Sequence, residues 1–116
     1  ILNGSTTVIS PPDGNMIDYL ASLDKLHALC LERDIRYILP AHGYVLGFAR
    51  HQITKLKAHR LAREAKVHDA MRSKPDGSIQ DWVAMVYADT PPALWPVAQQ
   101  SLLAHVERIQ KLCLGR

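Results

Sequence analysis

Two places in this 116-residue sequence hold side chains whose types and spacing could do chemistry. His42 lies in Pro40-Ala41-His42-Gly43, directly after the short apolar run Ile35-Arg36-Tyr37-Ile38-Leu39. Such a run, closed by proline and released by glycine, predicts a buried strand. Residues just beyond the C-terminal ends of strands line the cleft in layered α/β proteins, so an imidazole there is placed for a ligand or a metal ion. The second place is the pair Arg60 and Arg63, flanked by His59, which interrupts the face shared by Ala49, Ile53, Leu56, Val67, Ala70 and Met71 at 100° per residue. A guanidinium within an apolar stripe needs an acidic partner, a cavity or an anionic ligand, because an unpaired buried charge is very unfavourable. Glu64, Asp18 and Asp24 are acids within reach of that requirement, and a bound anion is the functional alternative. His27, on the apolar side of an earlier helix, reads as an ordinary core histidine.

The elements that must position these groups are mostly helical. Ile1-Leu2, Asn3-Gly4 and Thr6 to Ser10 read as a strand stub, a type I′ turn and a second strand. A chain that opens inside a hairpin is expected to be the C-terminal part of a longer protein. Pro11-Pro12-Asp13-Gly14 breaks the strand, and Met16, Tyr19, Leu20, Leu23, Leu26 and Cys30 then recur at helical spacing, with Asp13 or Asn15 as the expected N-cap. From Phe48 to Arg72 no proline or glycine occurs, which predicts one long helix. Ser78 should cap a short helix carrying Ile79, Trp82, Val83 and Val86 on one side. A last helix follows Thr90-Pro91-Pro92, with Pro96 in its first turn, an apolar stripe of Ala98, Leu102, Val106, Ile109 and Cys113, and Gly115 as its stop signal.

Composition bounds the function. With 47% hydrophobic and 22% charged residues the chain is ordinary globular material, and no apolar run approaches the roughly 20 residues of a membrane span. A cytoplasmic protein with no membrane partner is the expectation. Cys30 and Cys113 have no metal-ligand spacing and read as reduced core thiols. The formal charge of +3 is concentrated: seven Lys and Arg lie between Arg50 and Arg72, against only Glu64 and Asp69. That segment suits an anionic partner, although an exposed helix is also often basic for solubility.

At Thr6-Thr7-Val8-Ile9-Ser10, Asp18-Tyr19-Leu20-Ala21-Ser22-Leu23, Ile38-Leu39-Pro40-Ala41-His42-Gly43 and His59-Arg60-Leu61-Ala62-Arg63-Glu64, the sequence resembles the metallo-β-lactamase superfamily of hydrolases. More narrowly it is similar to the beta-lactamase-like protein 2 subgroup, which carries a helical, winged-helix-like C-terminal extension. The resemblance implies an αββα enzyme with two metal ions, usually zinc, held by an H-x-H-x-D-H loop, a further histidine, a bridging aspartate and a last histidine. His42 matches that last histidine, whereas no H-x-H-x-D-H occurs in the chain. A catalytic zinc typically needs three protein ligands, so one histidine does not complete a centre.

The expected fold is therefore α/β, the C-terminal strand-helix-strand part of a metallo-β-lactamase domain over residues 1–47, followed by an all-α, winged-helix-like extension over 48–116. The resemblance implies that His42 is a metal ligand, that His59, Arg60, Arg63 and Tyr44 bind substrate, and that Ser22 faces the same cleft. The implied activity is metal-dependent hydrolysis of an anionic ester, thioester or phosphodiester, on a small molecule or RNA, with the 116-residue chain inactive alone. The alternative is a non-catalytic helical module that binds nucleic acid or a protein. A DNA reader should present basic and amide groups on the outer face of its third helix, where this sequence offers Gln99, Gln100, His105, Arg108, Gln110 and Lys111 with Glu107. Strands 5–10 and 36–40, lacking neighbours, would leave edges through which two copies could pair as a homodimer.

Overall fold

The computed structural model describes residues 8–41 and 43–114. Four α-helices account for most of them: α1 (Met16–Glu32), α2 (Ala49–Ser73), α3 (Ile79–Val86) and α4 (Trp95–Leu114), with a 3₁₀ turn at Pro92–Leu94 before α4. The bounds of α1 and α2 agree with the hydrophobic periodicity to within a residue or two. Contacts divide the described residues into two units, one of residues 18–41 and 43–60 and one of residues 8–17 and 61–114, so that α1 and α2 each contribute to both.

The expected strands are where structure and expectation differ. Residues 8–10 adopt no regular structure, and Ile38 forms an isolated antiparallel bridge with Leu46 where a strand over 36–40 was expected. Mutual N–H to carbonyl bonds of 2.7 and 2.9 Å make that bridge. A strand needs a neighbour to complete its ladder, and among the described residues Leu46 is the only one that Ile38 finds. The α/β portion thus reduces, in the described residues, to α1 and this bridge. The Asn3-Gly4 turn and Gly115 lie outside the described residues.

In the first unit, α1 presents Leu20, Leu23 and Cys30 inward, while α2 presents Ala49 and Ile53. A 2.7 Å ion pair between Lys57 and Asp24 joins the two helices at the surface. The second unit has the better-defined core: Val67, Ala70, Trp82, Val83, Val86, Tyr87, Leu102, Val106 and Ile109, against which Met71, Ile79, Trp95 and Ala98 pack. Here the local chemistry agrees with the packing. Ser78 caps α3 by accepting from the Asp81 N–H at 3.2 Å, while the Asp81 carboxylate accepts the Ser78 N–H at 3.0 Å, a reciprocal capping box. Both tryptophan N–H groups find carbonyls, Trp82 at Lys74 and Trp95 at Tyr87 and Thr90. Residues 8–17 belong to this unit and are fixed to α4 by Ser10 donating to Gln100 at 3.0 Å and Asn15 donating to Glu107 at 3.2 Å. Cys30 is buried as expected; Cys113 is exposed, because it falls at the edge of the α4 stripe in the last turn.

Candidate functional site

Of the candidate residues, Tyr44 lies in the segment between Ile38 and Leu46, which the antiparallel bridge of those two residues closes. Gly43 within it has φ of 101°, a left-handed conformation that glycine adopts without steric cost. His42 lies outside the described residues. Tyr44 projects from the loop and is 85% exposed. His59 and Ser22 are also exposed, on α2 and α1 respectively.

Arg60 behaves differently. It occupies the buried stripe of α2 and is 5% exposed, with its guanidinium carbon 5.0 Å from the centre of the Tyr19 ring. A cation over an aromatic face is attracted by the ring quadrupole, and more strongly where water is excluded. The sequence brings the pair together because Tyr19 lies on the inward stripe of α1 and Arg60 on that of α2.

Arg63 belongs to the second unit. Its guanidinium donates to the Val86 carbonyl at 2.9 Å and to Asp89 at 3.3 Å, and lies 4.7 Å from the Tyr87 ring centre. These contacts satisfy the C-terminal end of α3, where carbonyls lack intrahelical partners and favour a cation. Hydrogen bonding to Arg63, and then its charge, hold the Asp89 carboxyl below its ordinary value.

One polar cluster escapes a reading of the sequence alone. Glu64 is buried on α2, where its carboxylate accepts from Arg108 of α4 and stands 3.3 Å from Nδ1 of His105, which is 1% exposed. The other ring nitrogen of His105 is buried without a hydrogen-bond partner among the described residues. His105 follows Leu102 by three residues and precedes Ile109 by four, which is the signal that it shares the apolar stripe rather than the outer face. This arrangement turns much of the polar surface of α4 inward: His105 and Arg108 toward Glu64, Gln100 toward Ser10, and Glu107 toward Asn15. Gln110 and Lys111 of the same helix are exposed.

Among the described residues no three His, Cys, Asp or Glu side chains converge as a metal site. No described helix is long and apolar enough to cross a membrane.

The short capped helix, the proline-led 3₁₀ turn and the long final helix reproduce the helical part of a winged helix, and comparison with known proteins decides its kind. Residues 78–112 match the beta-lactamase associated winged helix domain. The chain is also 29% identical over 99 residues to the beta-lactamase-like protein 2 homolog of Drosophila melanogaster, covering 84% of this chain and 32% of that protein. To the homolog of the same name from Caenorhabditis elegans it is 29% identical over 113 residues, 97% of this chain and 35% of that protein. The resemblance to the beta-lactamase-like protein 2 subgroup is borne out. The chain spans about a third of the length of the curated relatives it matches.

Proposed function

We propose that this chain is the C-terminal part of a metal-dependent hydrolase of the metallo-β-lactamase superfamily, acting on an anionic ester, thioester or phosphodiester. The observation that carries the reading is the winged-helix match at residues 78–112, together with similarity that extends over 84% of the chain or more to beta-lactamase-like relatives. In this reading the intact protein holds two zinc ions, to which the chain contributes His42. A bound metal pair supplies an activated water and stabilises charge that develops on the substrate.

The chain's own residues then divide by exposure. His59 and Tyr44 are exposed in the same unit as the His42 loop and are assigned the contact with an anionic substrate. Arg60, stacked on Tyr19 and buried, contributes positive charge from the same helix. Arg63, engaged by Val86 and Asp89, serves substrate binding only by bracing the winged helix. The free Cys30 and Cys113 suit the reducing cytoplasm, where the reading places the protein.

The test compares the 116-residue chain with a protein extended upstream to the length of its relatives, both zinc-loaded, on a p-nitrophenyl phosphodiester, a thioester and a lactone. Turnover of one of these by the extended protein alone, lost in His42→Ala and with KM raised in His59→Ala, is expected. Turnover by the short chain, or full activity of His42→Ala, would overturn the proposal.

A further inference from the structure

Two side-chain-bearing residues of the first unit have a left-handed backbone and line one cleft: Asp34 as the cap that ends α1, where Ile35 N–H donates to the Cys30 carbonyl at 2.9 Å, and Phe48 before α2. Asp34 and Phe48 each have φ of 53°, and among the described residues they are the only non-glycine positions in the left-handed region. For a bulky residue such as phenylalanine that conformation is sterically costly and persists only where the surroundings impose it. The cleft between them has a volume of about 530 Å³, and its walls include Arg36, Tyr37, Arg50 and His51.

The lining combines two chemistries. Phe48 and Tyr37 are 83% and 66% exposed, which leaves two aromatic rings facing solvent at the edges of the cleft. Arg36 is paired with Asp34 at 3.0 Å, while no salt bridge to Arg50 forms among the described residues. The charge of Arg50 nevertheless reaches Asp34, whose carboxyl is held below its ordinary value by hydrogen bonding and charge from Arg36 and, to a smaller extent, by Arg50. With two arginines against one carboxylate among the described residues, the cleft has a net positive charge beside an exposed ring.

We propose that this cleft binds a small planar ring carrying an anionic group, with Phe48 and Tyr37 stacking on the ring and Arg50, assisted by His51, holding the anion. Phe48 takes its left-handed φ immediately before α2 and lines the cleft there. The inference does not rest on the metal-dependent reading of the chain, since it uses neither His42 nor any metal ion.

Phenyl phosphate is the probe, titrated calorimetrically into the 116-residue chain beside benzoate, inorganic phosphate and phenol. Phenyl phosphate should bind at least about tenfold more tightly than phosphate or phenol, since each of these makes only one of the two contacts. Benzoate should compete with it for the same site. Phe48→Gly should weaken phenyl phosphate about fivefold to tenfold. Because glycine accepts the positive φ, this variant should retain its helix content and melting temperature, which separates binding from folding. Arg50→Gln should weaken phenyl phosphate and phosphate alike, by about tenfold. No binding of phenyl phosphate, equal binding of phosphate, or unchanged affinity in Phe48→Gly would each overturn the proposal.

Discussion

The cluster of Glu64, His105 and Arg108 makes the sharpest stability prediction. Glu64→Gln keeps the shape of the side chain and removes its charge, leaving Arg108 without its carboxylate and giving the buried His105 an amide in its place. The three side chains are 12%, 1% and 21% exposed. Breaking a fully buried pair by removing one partner costs about 3–5 kcal/mol. Because Arg108 retains access to water over about a fifth of its surface, the expected loss is smaller, about 2–3 kcal/mol. For a chain of this size that corresponds to a fall in melting temperature of roughly 8–12 °C. Urea unfolding followed by far-UV circular dichroism measures it directly. Replacing both partners, as Glu64→Leu with Arg108→Met, should cost clearly less than the sum of the single changes, with a coupling of about 1–2 kcal/mol. Lys111→Ala, which removes an exposed i,i+4 pair with Glu107, is the control and should cost under about 0.5 kcal/mol. A loss below about 0.5 kcal/mol for Glu64→Gln, or strict additivity of the double change, would refute the reasoning.

Two further outcomes follow from the second unit. A β-carbon on Gly77 would lie 2.9 Å from Nε1 of Trp82 and 3.0 Å from the Lys74 carbonyl that this nitrogen donates to. Gly77→Ala should therefore displace the indole, cost about 1–3 kcal/mol and reduce the near-UV dichroism of the tryptophans. Asp81 has its carboxyl held below the ordinary value by the Ser78 N–H first and by Lys74 next, and Asp89 by Arg63. A carboxylate whose folded value is lowered contributes stability that is present above its unfolded value, about 3.9, and is lost as pH falls below it. Stability should thus fall with acidification from about pH 5 downward, and the slope should be shallower in Asp81→Asn; an unchanged slope would contradict the capping role.

The helices were legible because each has a long periodic stripe or an explicit punctuation signal: Ser78 before α3, the prolines before α4, and the unbroken run of helix formers in α2. The strands were not, because a strand acquires its identity from the neighbour it pairs with, and Ile38 finds among the described residues only Leu46. For the arginines, the sequence established that Arg60 and Arg63 must find partners but not which ones. Aromatic rings at Tyr19 and Tyr87 and the Val86 carbonyl met that need, choices fixed by tertiary packing. His105 was misplaced on an outer face because its polarity was weighed above its position between Leu102 and Ile109. The strained Phe48 was invisible, since nothing in a phenylalanine before a helix announces a positive φ.

In the proposed function His42 would supply one ligand to a metal centre completed by residues of the longer protein. Zinc content by plasma mass spectrometry, after dialysis against a weak chelator, tests it most directly. A protein extended upstream to the length of its relatives should retain about two zinc ions per chain, and His42→Ala about one or none. Two zinc ions retained by His42→Ala would contradict the account.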